Sequence, residues 1–126
     1  MIEKRIDTSG VYLWVKTNPM INLENMISSS DFLVNEENLP EVLRILEDAT
    51  DSVVSFGVRD FEKLADRINK VSEKFKIIKH AVIHNSPKNT AFTLYFKNNY
   101  VNNRYKLEVF STFEAASNWL GIIHKN

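Results

Sequence analysis

Between Val58 and Phe75 the apolar residues fall at helical spacing, and directly afterwards the spacing changes. Phe61, Leu64, Ala65, Ile68, Val71 and Phe75 form one stripe, with Glu62, Lys63, Asp66, Arg67, Lys70 and Lys74 on the opposite side. This is an amphipathic helix with one buried face. Asp60 in its first turn and Lys74 in its last complement the helix dipole, and Gly57 or Ser55 can cap its start. Ile77 to Ile83 is instead a short β-rich apolar run, with Ala81-Val82-Ile83 its most buried part. A long helix that hands over to a buried strand is the repeating unit of a parallel sheet, because parallel neighbours need a crossover connection.

The rest of the chain extends that unit. Ile2 to Asp7 and Val11 to Lys16 flank a Thr8-Ser9-Gly10 turn and predict a hairpin. Val11, Leu13 and Val15 share one strand face and Tyr12 and Trp14 the other, so both faces are expected to be covered. After Asn18-Pro19, Leu23, Met26 and Ile27 predict a short helix capped by Asn22, ended by Ser28-Ser29-Ser30 and followed by a loop over Asp31 to Asn38. The segment Leu39 to Ala49 reads two ways. Pro40 at a first helical position favours a helix, whereas Val42 to Glu47 also fits a buried strand. Ser86-Pro87 starts a helix carrying Ala91, Phe92, Tyr95 and Phe96, followed by a polar loop over Asn98 to Asn103. Tyr105 to Phe110 is a strand with Tyr105, Leu107 and Val109 on one face. Ser111-Thr112-Phe113-Glu114 predicts a capping box, with Ser111 accepting from the Glu114 amide. Gly121 then sits where a left-handed residue closes the last helix, with Ile122 as its apolar partner.

Composition excludes several function classes. The chain of 126 residues has three Gly and three Pro, too few for a flexible linker, so residues 1–126 read as a single domain. Sixteen basic residues balance sixteen acidic ones, which is not the footprint of a general nucleic-acid binder. With no cysteine there is no disulfide, no thiolate catalysis and no Cys-bearing zinc site. No apolar run approaches the ~18 residues of a membrane span, and the N-terminus lacks a signal-peptide core. These features together predict a cytoplasmic protein, and the abundance of Asn and Lys suggests a bacterial source.

Three segments together resemble the STAS-type, SpoIIAA-like superfamily. Leu107 to Gly121 is similar to the ending of its small stand-alone members: a strand, a Phe, a capped helix containing Glu-Ala and a Trp-Leu pair. Lys79-His80-Ala81-Val82-Ile83 resembles their penultimate strand, and Ile45-Leu46-Glu47-Asp48-Ala49 the strand that ends in an acidic residue before the main helix. The resemblance covers roughly residues 11–121 and selects the strand over the helix at Val42 to Glu47. It implies an α/β fold: a four- to five-stranded mixed sheet with an N-terminal hairpin and crossover helices mainly on one face. Regulatory members carry an Asp-Ser-Ser/Thr-Gly run whose serine is phosphorylated, blocking partner binding. Here Asp51-Ser52 keeps the dipeptide, but Val53 and Val54 replace the small residues after it.

The candidate site residues follow from these placements. Ser52 is the candidate phosphosite, since it alone follows an Asp at this turn, and a phosphate near the start of the following helix would meet its positive end. Asp48, Asp51, Ser55 and His84 are candidate interaction or pocket residues, at strand ends where α/β folds place ligands. Glu47, Asp48 and Asp51 cluster at one strand's carboxyl end, a solvated acidic face or an acid–base group, and an enzyme would use Asp48 with His84. His80 and His84 are four apart on a strand, about 13 Å at about 3.3 Å per residue, too far to share a metal. His80 itself reads as a strand-edge histidine. No catalytic residue, metal ligand or cofactor is assigned. The sequence therefore predicts a non-enzymatic interaction or regulatory module that binds a protein partner or itself, with the Tyr12/Trp14 face either a dimer surface or covered by the chain itself. The alternative is a carrier or sensor of a small apolar ligand, similar to CRAL-TRIO-type carriers, drawn from the aromatic content. That alternative calls for a cavity of roughly 300 Å³ or more.

Overall fold

The computed structural model describes residues 1–123. Seven strands and four α-helices follow in the order β1 (Ile2–Asp7), β2 (Gly10–Lys16), β3 (Met20–Ile21), α1 (Leu23–Asn35), β4 (Val42–Asp48), β5 (Val53–Val54), α2 (Phe61–Ser72), β6 (Ile77–Ile83), α3 (Pro87–Tyr100), β7 (Tyr105–Phe110) and α4 (Phe113–Leu120). A 3₁₀ turn, Val58–Asp60, leads into α2. Five strands form one mixed sheet in the order β1-β2-β4-β6-β7, with β1 antiparallel and the others parallel. The short β3 and β5 pair separately. Among the described residues no helix is long and apolar enough to cross a membrane.

Alternation along the strands divides the interior in two. Leu13, Leu43, Ile45, Ile78, Val82 and Leu107 face α1, α2 and α3. Tyr12, Leu46, Ala81 and Ile83 face α4, represented by Ala116 and Leu120. β4 lies at the middle of the sheet, and Leu43 to Glu47 are all buried. Burial on both faces is what makes a strand of a segment with helical propensity. Gly10 at φ 117° closes the hairpin and Gly121 at φ 70° closes α4, both in backbone regions that favour glycine.

Four boundaries differ from expectation. α1 does not stop at the serines. Ser30 faces inward, its hydroxyl donates to the Ile27 carbonyl at 2.6 Å, and Phe32 and Leu33 continue the packed stripe. α2 begins at Phe61, three residues later than read, because Asp60 Oδ2 accepts the Gly57 amide at 3.2 Å and fixes a 3₁₀ turn first. α3 continues through Asn98 and Asn99 to Tyr100, whose ring stacks on Phe96 with centroids 5.7 Å apart. An aromatic pair at i, i+4 extends a helix into a polar stretch. The cap of α4 is Thr112, not Ser111. Its hydroxyl accepts the Ala115 amide at 3.2 Å, so the cap lies one residue later than the box predicts.

Candidate functional site

On the face covered by α1, α2 and α3, the strands carry a line of polar side chains. Tyr105 of β7 is level with Ile78, and His80 lies two residues further along β6. His80 is level with Ile45, and Glu47 lies two residues further along β4. Glu47 is level with Val15, and Thr17 follows two residues later, just past β2. A two-residue step keeps the same sheet face, so the four side chains form a diagonal across four strands. They are hydrogen-bonded end to end. Tyr105 Oη lies 2.5 Å from His80 Nδ1, and His80 Nε2 lies 2.7 Å from Glu47 Oε1. Thr17 donates to Glu47 Oε2. The interior position of β6 corrects the reading of His80 as a strand-edge residue.

A Tyr105 O–H donated to His80 Nδ1 requires the His80 proton on Nε2, where it is donated to Glu47. Burial opposes the Glu47 charge, but the hydrogen bonds from His80 and Thr17 outweigh it and hold the carboxyl below its ordinary range. Burial first, and then the Glu47 charge, push the Tyr105 phenol above its ordinary value. The Glu47 carboxyl thus ionises readily and the Tyr105 phenol does not. Hydroxyl, imidazole and carboxylate in that order resemble a nucleophile with its base. Here the hydroxyl is a buried phenol joined to the imidazole and the carboxylate by hydrogen bonds.

The line borders empty space. A cavity of about 110 Å³ lies between the sheet, β3 and α1, with Leu13, Ile45 and Leu33 among its walls. Its lining runs from His80 and Tyr105 out to Met1 and Met20, which are 66% and 56% exposed, so it reaches the surface. A second cavity of about 90 Å³ lies toward α3, lined by Phe61, Phe92, Phe96 and His84. The two abut along Ile21, Met26, Leu64 and Ile68, and Glu47, His80 and Tyr105 line both. Neither reaches the roughly 300 Å³ that the apolar-ligand alternative calls for, which counts against a ligand of drug-like size. Phe61 anchors the far wall, with the rings of Phe56, Phe92, Phe96 and Tyr100 around it at 5.1–6.0 Å.

The candidate residues from the sequence fall into two groups. His84 lines the second cavity and is 5% exposed, and its Nδ1 has no hydrogen-bond partner. An enclosed polar atom without a partner costs about 1–3 kcal/mol. Burial pushes the His84 pKa down, and the Glu47 carboxylate only partly offsets this. Asp48, Asp51, Ser52 and Ser55 belong instead to the turns beyond the strand ends. Asp48 accepts from the Thr50 amide and hydroxyl and pairs with Lys16 at 3.2 Å, so its carboxylate is committed there rather than to His84. Burial raises its pKa, and those bonds lower it by more. Asp51 is exposed, 3.7 Å from Lys16 Nζ. Ser52 is buried, donates to the Asn18 carbonyl at 2.8 Å and accepts from Asn89 Nδ2 through its own carbonyl. In chain order, β5 and the 3₁₀ turn come between Ser52 and α2. Ser55 donates to the Ile21 carbonyl at 3.0 Å and ties β5 to β3. Lys74 donates to the carbonyls of Leu33 and Val34 near the end of α1, and Lys79 to that of Trp119 near the end of α4.

A structural comparison decides the fold. An uncharacterised protein of the DUF3478 family with a SpoIIAA-like fold, from Shewanella loihica PV-4, superposes with a TM-score of 0.62 at 20% sequence identity, covering 95% of this chain and 92% of that one. This chain has the SpoIIAA-like fold. No family model and no curated protein matches it in sequence. The five-stranded mixed sheet, the hairpin at its edge and the helices mainly on one face agree with the fold read from the sequence.

Glu47, His80, Tyr105 and Thr17 were missed as a group. The usable signal lies in the alternation of each strand. His80 interrupts an inward series with Ile78 and Val82, Glu47 follows Leu43 and Ile45, and Tyr105 precedes Leu107. A polar residue on the buried face of three parallel strands points to one shared site once the register is known.

Proposed function

We propose that this SpoIIAA-like chain is a non-enzymatic carrier or sensor of a small molecule, held between the sheet and helices α1, α2 and α3. The observation that carries this reading is the polar diagonal Tyr105–His80–Glu47 bordering apolar cavities, one of which reaches the surface. An apolar pocket with a few convergent polar groups is the usual form of a ligand site. Size narrows the ligand. An engineered apolar cavity of ~150 Å³ holds benzene, so cavities of about 110 and 90 Å³ favour a molecule of few heavy atoms over a long acyl chain. Flexible Met1, Met20 and Met26 line the first cavity and can adjust to shape. Native mass spectrometry of gently purified protein tests the reading. A retained mass lost on denaturation is expected. A bare chain whose cavity residues also show no NMR response to small organic probes would overturn it.

A second reading, an interaction module, is favoured by the β3–β5 pair. Met20 and Val53 are level with each other and 56% and 59% exposed, beside exposed Asp51. Sedimentation velocity over a wide concentration range separates self-association from a monomer. A Val53→Lys variant that leaves an observed association intact would remove this surface from it.

A further inference from the structure

Hydrogen-bond accounting of the polar diagonal names a ligand chemistry. Three donors serve the line, and all are used inside it: Thr17 O–H on Glu47 Oε2, His80 Nε2–H on Glu47 Oε1 and Tyr105 O–H on His80 Nδ1. Acceptor capacity remains. Each Glu47 oxygen keeps a lone pair, as do Tyr105 Oη and Thr17 Oγ1. His84 Nδ1 is enclosed, unpartnered and in the wall of the second cavity. In the Nε2–H tautomer it is one more acceptor. With His80 neutral, the line carries the single negative charge of Glu47. An imidazolium at His80 would make both ring nitrogens donors and leave the Tyr105 proton without an acceptor.

We propose that the cavity selects small amphiphiles whose polar head donates hydrogen bonds, a primary ammonium best of all, with Glu47 as the residue that sets this preference. The proposal rests on the ligand-binding reading above and adds the ligand class to it. An ammonium offers three donors and a charge opposite to that of Glu47, and a short alkyl body suits walls such as Leu13, Leu64 and Ile68. A neutral alcohol offers one donor and no charge. A carboxylate offers no donor and brings a second negative charge beside the first, which is unfavourable in a low-dielectric site.

The test is an NMR titration of the full chain at neutral pH with three probes of matched size: n-butylamine, n-butanol and butyrate. Amide and methyl shifts of Leu64, Ile68, Tyr105 and His80 report cavity occupancy. The expected result is cavity binding of butylamine at least tenfold tighter than butyrate, with butanol between them. In Glu47→Gln the ratio should fall to within about threefold. Thr17→Val frees one Glu47 lone pair while keeping the charge, so it should tighten butylamine and leave butyrate unchanged. This second variant keeps the proposal open to failure if Glu47→Gln does not fold. Butanol or butyrate binding in the cavity as tightly as butylamine would overturn the proposal and leave the ligand-binding reading standing. Butylamine shifts confined to surface carboxylates such as Asp51 would overturn it in the same way. Cavity residues silent to all three probes would remove the proposal and the ligand-binding reading together.

Discussion

Two residues three apart on β4 carry charge into the interior, and they end in different surroundings. Arg44 points to the α4 side of the sheet and Glu47 to the cavity side. Arg44 grips Asp7 with two bonds of 2.8 and 3.0 Å and also donates to the carbonyls of Gly10 and Leu120. Asp7 further accepts the Ser9 and Ile123 amides, and its side chain is only 2% exposed. The bond from Arg44 chiefly, against the opposing effect of burial, holds the Asp7 carboxyl well below the usual carboxylate range. This pair clasps the hairpin turn, the middle of the sheet and the chain after α4, and Asp7 is enclosed by fixed partners. Glu47 has fixed partners too, but spare lone pairs and empty space beside them. Buried charge alone therefore does not mark a site. Unused hydrogen-bonding capacity next to a cavity does, and it separates a clasp from a candidate binding group.

The sharpest way to break this contrast is Arg44→Ala. It leaves the Asp7 carboxylate enclosed without its counter-ion, and removing one partner of a buried pair costs about 3–5 kcal/mol. Urea unfolding should show that loss. A loss under about 1 kcal/mol would mean that water reaches Asp7 and that the clasp is no drier than the cavity. Glu47→Gln should cost less, about 1–3 kcal/mol, because it trades charge-assisted hydrogen bonds for neutral ones beside a space that can take water. Equal losses for the two variants would erase the distinction.

The contrast was only half legible in the sequence. Strand and helix periods gave β1, β2, β6 and β7 almost to the residue, because alternation and stripes are local. The helix ends were less legible. Ser30 stays helical through a bond to its own backbone and an inward-facing position, and Tyr100 through a ring stacked on Phe96. Both depend on what packs nearby. Of the residues proposed for the site, only His84 lines a cavity. Asp48, Asp51, Ser52 and Ser55 lie close together beyond one strand's end, and they bond chiefly within their own turns and to the strand ends beside them. Thr17, Glu47, His80 and Tyr105 are 30, 33 and 25 residues apart in turn. Only the pairing register brings them together, and no local pattern holds that register.

pH sharpens the comparison, since the two regions lose stability in different windows. Asp7 and Glu47 have folded pKa values below their ordinary values of 3.8 and 4.5. Each therefore contributes stability present above its ordinary value and lost as pH falls toward the folded one. His84 is lowered from 6.5, chiefly by burial, with the Glu47 carboxylate acting in the opposite direction. Above 6.5 it is neutral folded or unfolded. Below that the unfolded chain takes up a proton that folded His84 refuses, so stability falls with falling pH. The cavity region should thus weaken first on acidification, and the clasp only below the carboxylate range. Denaturation at a series of pH values checks this. His84→Asn should flatten the slope between about pH 6.5 and 5 while leaving the acid limb intact. An unchanged upper slope would show that His84 does not stay neutral in the fold.

The mildest test concerns the element that keeps the clasp side covered. α4 has eight residues and lies over Tyr12, Leu46 and Ala81, and Arg44 bonds the Leu120 carbonyl at its end. Its start is held by Thr112 Oγ1 accepting the Ala115 amide at 3.2 Å, whereas the sequence pattern pointed to Ser111. Loss of an N-cap hydroxyl costs about 0.5–2 kcal/mol, and an exposed substitution away from such a feature stays within about 0.5 kcal/mol. Thr112→Ala should therefore destabilise by about 1 kcal/mol, while Ser111→Ala should stay near the wild type. The reverse order would restore the capping box at Ser111. Because α4 shields the clasp and not the cavity, Thr112→Ala should leave butylamine binding unchanged. A change in that affinity would mean that the two faces of the sheet communicate, and the division between clasp and cavity would then be one of position only.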